Sequence, residues 1–437
     1  MFKKALICAL FIASSWLLQG QQKPLEIVLR PEGNGLMTHQ IQSAIDRCSA
    51  AGGGVVRLTG GTFLCGGIQL KSGTSLHLEK GVLLKGSDKY ADYKNDAFVY
   101  GKDLSDIGIE GEGTIDGVDC YNPKGEEGFR GPHCIRLINC RNIKVSGITI
   151  KNSANYAINC RHCSVGIVTN VTIRGGHDGL HTRFCDGFKV TGCDFRTGDD
   201  AIAGNDNRDF IITDCRINTS CNGFRMGCNN FTVRHCELWG PGEYSHKIQN
   251  RNNMLSAFVH FSPRDEKPVL QSGNWKIEDI TVKNVDHFFI YNFMDGLWQT
   301  GQPFTSVTFS EIRASGILDA FYIRGDTARN FKMSVKNSTF SCRQGEISKV
   351  EKFEGVKLLS GEFFYANTFN TISLENVIFE KRDSSILLKA EYGNEINLHE
   401  VEFIKQSDSI PFIFNKIGDI KQKDYRISNY DRLNHME

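Results

Sequence analysis

Three aspartates are the residues of this 437-residue chain whose type and spacing could do chemistry. Asp178 lies in the segment GHDGLH, and Asp199 and Asp200 lie in TGDDAIAG, 21 and 22 residues later. Carboxyl groups held close together cannot all stay ionised without cost, so at least one should keep its proton near neutral pH. One protonated and one ionised carboxyl are what hydrolysis of a glycosidic bond requires. A single turn aspartate more often hydrogen-bonds its own backbone, so the hypothesis depends on all three meeting in one place.

The spacing of the aspartates equals the period of a repeat in the middle of the chain. Successive units begin at Cys140, Cys163, Cys185, Asn207 and Cys228, 21 to 23 residues apart. Each holds two short runs of alternating apolar residues, separated by Gly, Asn, Asp or Ser, and shows no helical periodicity. Units this small bury a core only by stacking, which predicts a parallel β-solenoid. One coil of stacking would bring the aspartates to about 4.8 Å from each other at the backbone, on one wall.

The same strand pattern begins earlier and continues later. It covers Gly52 to Ser87 and loosens beyond Trp275. Residues 37–50 have apolar positions at helical spacing and predict a short helix that caps the N-terminal end. Since no linker composition is visible, we predict an all-β chain with a single domain over residues 21–437, with irregular coils beyond about Gly345.

The first twenty residues have the composition of a secretory signal. Lys3 and Lys4 precede an apolar stretch from Ala5 to Leu18, and Gly20 comes before polar Gln21 and Gln22. The alternative, a membrane anchor, needs about 20 apolar residues, more than this stretch has. We therefore expect residues 1–20 to be a signal peptide, and the product to be exported to the periplasm or secreted, without membrane insertion.

The charges of the chain are balanced. There are 51 basic and 50 acidic residues, and removal of Lys3 and Lys4 with the signal would leave 49 basic residues and a net charge near −1. This balance gives no electrostatic footprint for nucleic acid, and any recognition of an acidic polymer would have to be local. A monomer is expected.

Half of the fourteen cysteines beyond the predicted signal recur at fixed points of the repeat. Cys140, Cys163, Cys185 and Cys228 form one predicted column, and Cys193, Cys215 and Cys236 form a second. Export would permit disulfides, but this spacing favours packed free thiols, with the close pair Cys221 and Cys228 as the candidate exception. Cys160 and Cys163 form an unmatched CxxC, so no zinc site, other metal or cofactor is expected.

From about Gly52 to Phe293 the chain resembles the polygalacturonase-like family 28 glycoside hydrolases of the pectin-lyase-like superfamily. The resemblance rests on the GGVV, GTFL and LKSGTSLHLEKGVLL segments, on TIDG at Thr114 to Gly117, and on a GDD segment one coil beyond an earlier aspartate. It implies a single-stranded right-handed parallel β-helix. It also implies that Asp199 is the general acid and that Asp178 and Asp200 hold the attacking water, with inversion at the anomeric carbon.

Three departures from the family pattern concern the substrate. GHD stands where the family has NTD, CNG from Cys221 to Gly223 stands where it has GHG, and the segment MLSAFVHFSP from Met254 replaces a later RIK signature. The missing Arg and Lys would have bound a uronate carboxylate, so polygalacturonic acid is in question as the substrate.

Other polar residues near the aspartates could bind a sugar. The predicted substrate-binding residues are His177, His181, Arg183, Asn222 and Arg225. A polar insertion from Gly240 to Met254 carries three further candidates for the wall of a cleft, His246, Lys247 and Arg251. Three tryptophans, Trp239, Trp275 and Trp298, are candidates either for stacking on sugars or for the core.

The sequence favours an exported glycosidase acting on a pectic or related polysaccharide or oligosaccharide. A polysaccharide lyase on the same fold is the nearest alternative enzyme, and would need an Arg or Lys base and usually calcium. A non-catalytic glycan-binding solenoid is the other alternative, suggested by the lost His and RIK positions. The insertion after Trp239 also suggests a partly closed cleft and action from a chain end.

Overall fold

The computed structural model describes residues 24–33, 35–262, 270–293, 301–343, 362–381, 386–405 and 412–429. These residues form a parallel β-helix, in which each coil adds one strand to each of three sheets. The predicted signal peptide, residues 1–20, lies outside the described residues. None of the helices in the described ranges is long and apolar enough to cross a membrane.

The elements up to the aspartates are short. They are β1 (Leu25–Leu29), α1 (Thr38–Ala50), β2 (Gly54–Leu58), β3 (Thr62–Cys65), β4 (Ile68–Gln69), β5 (Thr74–Leu78), β6 (Leu83–Gly86), β7 (Ala97–Lys102), β8 (Ser105–Gly111), β9 (Thr114–Asp116), β10 (His133–Ile138), β11 (Arg141–Ser146), β12 (Thr149–Lys151), β13 (Ile158–Arg161), β14 (Ser164–Thr169), β15 (Thr172–Gly175), β16 (Leu180–Arg183), β17 (Asp186–Thr191) and β18 (Asp194–Thr197), with 3₁₀ turns at Tyr90–Asp92 and Glu126–Gly128.

The later strands are longer because many pass through a corner of the solenoid without a break. They are β19 (Ile202–Thr213), β20 (Arg216–Thr219), β21 (Asn222–Trp239), β22 (Met254–His260), β23 (Gly273–Lys283), β24 (Val285–Asn292), β25 (Ser306–Ile317), β26 (Asp319–Arg324), β27 (Lys332–Cys342), β28 (Phe364–Lys381), β29 (Leu388–Lys405), β30 (Phe412–Asn415) and β31 (Asp419–Asn429). Residues with positive φ, such as Asn230 (58°) and His235 (52°) in β21, turn these corners.

Parallel pairing keeps each coil in register with the next. The first sheet contains β3, β6, β9, β12, β15, β18 and β20; the second begins with β4, β7, β10, β13 and β16; the third begins with β1, β2, β5, β8, β11, β14 and β17. Leu180 pairs with Ile158 before it and with Ile202 after it, for example. The turn from the first sheet to the second is where the aspartates lie.

The core lies inside the coil and is filled by stacked columns of side chains. Phe288 is fully buried and lies within 5.7 Å, centroid to centroid, of the rings of Phe258, Phe309, Phe321 and Phe340. Burial of apolar surface of this kind is the main stabilising term of folding. Trp275 belongs to this core, because it is 1% exposed and donates its indole N–H to the Cys228 carbonyl oxygen at 2.9 Å. The alternative prediction, that Trp275 stacks on a sugar, is therefore wrong.

The predicted capping helix is confirmed. In α1 the buried residues Ile41, Ala44, Ile45 and Cys48 recur at helical spacing and cover the open end of the solenoid beside β2. Without such a cover the first coil would expose unpaired strand edges and an apolar core.

The cysteine columns are also as predicted, and the candidate exception is wrong. All fourteen cysteines in the described ranges are free thiols, and Cys221 and Cys228 are two of them. Asn207 occupies the coil between Cys185 and Cys228, where its side-chain oxygen accepts the Cys185 N–H at 3.1 Å. Thirteen of the thiols are buried and Cys342 is partly exposed.

The C-terminal coils are more regular than the sequence indicates. Phe364 pairs with Leu388, and Leu388 pairs with Phe412, so the described coils keep a constant period of 24 residues. Buried rings continue the column, with Phe340, Phe379 and Phe403 stacked in succession. Polar residues with positive φ, rather than glycines, form the corners of these coils. The sequence therefore lacks the Gly-rich turns that would reveal the period.

Candidate functional site

The aspartates occupy the same turn in two successive coils. Asp178 follows β15 and precedes β16, while Asp199 and Asp200 follow β18 and precede β19. Backbone hydrogen bonds from Gly179 N to Asp200 O and from Leu180 N to Ala201 O, of 2.9 and 3.0 Å, fix the two turns against each other. The register of β16 with β19 places Asp178 over Asp200.

The three carboxylates share one site, as the spacing of one coil predicts. One oxygen from each of Asp178, Asp199 and Asp200 lies within 4.8 Å of the other two. The side chains of Asp178 and Asp200 are 5% and 2% exposed, while that of Asp199 is 18% exposed. Asp199 is therefore the carboxyl most open to a substrate.

Asp200 is held by groups of the next coil. Asn222 donates from Nδ2 to Asp200 Oδ1 at 2.7 Å, and Arg225 donates from Nη1 to Asp200 Oδ2 at 3.3 Å. Ser256, one coil further, donates from Oγ to Asn222 Oδ1 at 2.6 Å. Because the Ser256 hydroxyl occupies the amide oxygen, the amide nitrogen of Asn222 faces Asp200. Asn222 is 1% exposed, so in this structure it acts on Asp200, and its contact with a sugar stays a prediction.

Asp178 has a different environment. Its Oδ2 lies 2.7 Å from Nδ1 of His181, whose ring stacks on Tyr156 with centroids 4.3 Å apart. Burial, followed by the charge of Arg225, lowers the pKa of His181 to about 3, so this partner is neutral at ordinary pH. Among the described residues Asp178 has no ion pair with an arginine of the kind that Arg225 makes with Asp200.

Asp199 lies between Arg130, which sequence reasoning missed, and His246, which it predicted only as part of a cleft wall. Nη2 of Arg130 is 3.5 Å from its Oδ2, and Nε2 of His246 is 3.6 Å from its Oδ1. Its backbone carbonyl accepts the hydroxyls of Thr197 and Thr219, at 2.7 and 2.5 Å. Arg130 comes from the long connection between β9 and β10, and His246 from the Gly240–Asn253 loop, so neither obeys the repeat that revealed the aspartates.

These environments separate the pKa values of the three carboxyls. Burial and then the charges of Asp199 and Asp200 raise the pKa of Asp178 well above its usual value. Burial also raises the pKa of Asp200, against the lowering effect of Arg225. Burial would raise the pKa of Asp199 too, but His246, Arg130 and Arg225 hold it below its ordinary value. In the free site a proton is therefore favoured on Asp178 over Asp199.

A groove beside the aspartates carries excess positive charge. It encloses about 540 Å³ on the N-terminal side and runs along the outer face of the second sheet. Arg183 and His181 line it, in register with Arg161 and Asn159 of the preceding coil. The charged side chains along it also include Arg130, Arg136, Asp96 and Glu126.

The remaining predicted binding residues differ in access. His177 is 3% exposed and stacks on Phe129 with centroids 5.9 Å apart; burial and then Arg130 lower its pKa to about 3. Arg225 is partly buried, with its guanidinium 3.7 Å from the centroid of Phe261. Trp239 packs under Arg196 and Arg216, at 4.4 and 5.1 Å from its ring centroid. Trp298 lies outside the described residues.

Two sets of side chains could be considered for a metal. Asp178, Asp199 and Asp200 could hold a hard cation such as calcium, although Arg130 and Arg225 already supply positive charge there. The other set, Asp199, Cys221 and His246, fits zinc poorly. His246 Nδ1 accepts the N–H groups of Ile248 and Gln249, which leaves the ring proton on the Nε2 that would bind the metal. Burial also keeps Cys221 a thiol, since it raises the pKa well above the usual value.

Comparison with known proteins gives a consistent result. The model of glycosyl hydrolases family 28 matches residues 48–228, which include all three aspartates. A polygalacturonase of Ralstonia solanacearum is 30% identical over 159 residues, covering 27% of this chain and 30% of that protein. An endo-polygalacturonase of Pectobacterium parmentieri is 30% identical over 134 residues, covering 25% and 33%. This chain thus matches only about a third of the length of these relatives.

Solved structures share the fold. A family 28 exopolygalacturonase of Yersinia enterocolitica matches with a TM-score of 0.53 and 14% identity, covering 91% of this chain and 78% of that one. The Streptococcus pneumoniae surface protein and adhesin PfbA matches with a TM-score of 0.51 and 14% identity, covering 88% and 97%. The fold is the right-handed parallel β-helix that the family resemblance implies, and both an enzyme and an adhesin use it.

Proposed function

We propose that this chain, whose residues 48–228 match the model of glycosyl hydrolases family 28, is an exported glycosidase that cleaves a pectic or related polysaccharide or oligosaccharide. The observation that carries the proposal is the approach of three carboxylates to within 4.8 Å in one partly exposed site. A surface that only binds glycans gains nothing from crowding carboxyl groups together, whereas acid–base hydrolysis needs a protonated and an ionised carboxyl side by side.

The proposed mechanism follows the roles that the resemblance implies. Asp199 protonates the glycosidic oxygen, so that the leaving sugar departs as an alcohol. Asp178 and Asp200 orient a water molecule, and its proton passes to one of them as the oxygen bonds to the anomeric carbon. Asp199 must therefore hold the proton that the three carboxyl groups share when the glycosidic bond breaks. The free site keeps that proton nearer Asp178, so substrate binding has to shift it to Asp199.

The stereochemical outcome rests on the resemblance. Inverting enzymes typically separate their carboxyls by about 6.5 to 9.5 Å and retaining enzymes by about 5 Å. The 4.8 Å limit here joins the closest oxygens, a shorter measure than the separation of whole carboxyl groups, so the proposed inversion rests on the resemblance to the family. Observation by NMR of the first anomer released decides between inversion and retention.

The proposal is tested by separating the acid from the residues that hold water. Asp199→Asn should abolish release of reducing ends from a pectic glycan, yet retain activity on an aryl glycoside of the same sugar, whose leaving group needs no proton. Asp178→Asn and Asp200→Asn should lose activity on both. If none of the three substitutions affects a measured activity, the proposed site is wrong.

The lyase alternative makes opposite predictions. A lyase would form an unsaturated product that absorbs in the ultraviolet, and would usually lose activity when calcium is chelated. Under our proposal the product is saturated and activity is unchanged by chelator.

A further inference from the structure

The Gly240–Asn253 loop, which joins β21 to β22, is firmly attached to the wall that carries the aspartates. Glu243 accepts a hydrogen bond from Arg196 Nη1 at 2.6 Å, and its N–H donates to Asn218 Oδ1 at 2.7 Å. Ser220 donates from Oγ to the Tyr244 carbonyl oxygen at 2.5 Å, and Arg251 reaches back to the Ser220 carbonyl. These hydrogen bonds therefore fix the position of the loop relative to the aspartates.

Two glycines beside the aspartates provide the space in which the loop lies. A Cβ on Gly198, next to Asp199, would lie 2.3 Å from the Ser245 carbonyl oxygen, and one on Gly176 would lie 2.4 Å from Lys247 Cε. Lys247 extends across Gly176 and pairs with Asp119, which follows β9. This explains why the chain has Gly176 where the family has the Asn of NTD: the Lys247 side chain occupies that volume.

The loop also fixes which nitrogen of His246 carries the proton. His246 is 6% exposed, and its Nδ1 accepts the backbone N–H groups of Ile248 and Gln249 at 3.2 and 3.1 Å. An accepting Nδ1 has no proton, so the proton of the neutral ring lies on Nε2. That atom points at Asp199, 3.6 Å from Oδ1, just beyond hydrogen-bond length.

We propose that His246, held by the Gly240–Asn253 loop, is a positioning residue that donates from Nε2 to Asp199 while this carboxyl gives its proton to the glycosidic oxygen. The inference rests on the proposed function. As Asp199 loses its proton, negative charge develops on its oxygens, and the Nε2–H dipole stabilises that charge without itself transferring a proton. A closure of a few tenths of an ångström makes the hydrogen bond.

The other charged and titratable groups around Asp199 do not repeat this role. Arg130 and Arg225 are permanent cations, and Asp178 and Asp200 repel the charge of Asp199. His177 is held neutral by burial, and Cys221 stays a thiol. Removal of His246 therefore takes away the imidazole N–H that lies 3.6 Å from Oδ1 of Asp199.

The test compares His246→Leu with His235→Leu. His235 makes an exposed contact of the same kind, with Nδ1 3.5 Å from Asp214 Oδ1, far from the site. His246→Leu should lower kcat about tenfold, as expected for one hydrogen bond to a charged group, with little change in KM. It should also move the alkaline limit of kcat upward by about one pH unit, because a less stabilised carboxylate keeps its proton to higher pH. His235→Leu should change neither.

A second measurement separates failure of this inference from failure of the proposed function. Titration of the carboxyl carbons by ¹³C NMR, with Asp199→Asn to assign the signal, reads the pKa of Asp199 whether or not any glycan is cleaved. His246→Leu should raise that pKa while the spectrum stays that of a folded protein. Lys247→Met, which loosens the loop, should shift it in the same direction, and Lys276→Met, an exposed lysine of β23, should not. An Asp199 pKa unchanged in His246→Leu overturns the inference.

Discussion

Asn222 donates a 2.7 Å hydrogen bond from Nδ2 to Oδ1 of Asp200, one coil earlier in the solenoid. Asn222→Asp keeps the shape but replaces the donor with a fourth carboxyl beside three others. We expect activity to fall by at least about tenfold, since a charge-assisted hydrogen bond becomes a repulsion. The matched control is Asn230→Asp, because Asn230 makes a 2.7 Å bond to Asp209 in the same way on the exposed surface. Equal effects of the two substitutions in an activity assay would contradict this role of Asn222.

Ser256→Ala tests whether the Ser256 hydroxyl maintains the orientation of the Asn222 side-chain amide. The Ser256 hydroxyl occupies Asn222 Oδ1, and without it the amide can turn its oxygen towards Asp200. We expect kcat to fall by a few fold while the free energy of unfolding drops by about 1 kcal/mol. Denaturation by urea together with steady-state kinetics checks both. A loss of stability with unchanged kcat would mean that Ser256 has only a structural role.

The buried pair of His287 and Asp319 makes stability depend on pH. Nδ1 of His287 lies 2.8 Å from Asp319 Oδ2, and His287 is fully buried. Burial would lower its pKa, but the charges of Asp319 and Asp286 raise it above the usual value. A histidine with a raised folded-state pKa contributes stability that is complete below about pH 6.5 and is lost as pH rises through the folded value.

We therefore expect Asp319→Asn to cost more stability at pH 5.5 than at pH 8.5, measured by urea denaturation at both pH values. As a control, His77→Gln removes a histidine that is only partly buried on β5, and it should cost equally little stability at both pH values. The same cost of Asp319→Asn at both pH values would show that His287 is neutral in the folded protein.

The cysteines should remain reduced in the folded protein. Thirteen of the fourteen thiols in the described coils are buried, and burial raises the pKa of Cys65 to about 12 and that of Cys134 to about 12. Reactivity requires a thiolate that is exposed. Ellman's reagent should therefore label at most Cys342 before unfolding and all fourteen afterwards. A mass about 2 Da lower for each pair of missing thiols would reveal disulfides instead.

The repeat allowed the central part of this site to be predicted, because Asp178, Asp199 and Asp200 lie on it and one coil is one step of the sheet. The same reasoning extends to Asn222, which is one coil beyond Asp200. Ser256 is also in register with Asn222, but the inserted loop lengthens that coil to 34 residues and conceals the relationship.

Arg130 and His246 could not be predicted in the same way. Each comes from a connection without periodicity, and its position depends on contacts such as Arg196 with Glu243 rather than on counting residues. The available signal was indirect. Gly176 in GHD departs from the family pattern, the polar insertion after Trp239 departs from the strand repeat, and in the structure the two fit each other.

The central claim is that the three aspartates cleave a glycosidic bond, and the most direct measurement is release of reducing ends from pectic glycans by the wild-type protein and by Asp199→Asn. We predict product from the wild type and a loss of about a hundredfold or more in the variant, with unchanged folding by circular dichroism. A folded Asp199→Asn protein that releases reducing ends as fast as the wild type would contradict the account.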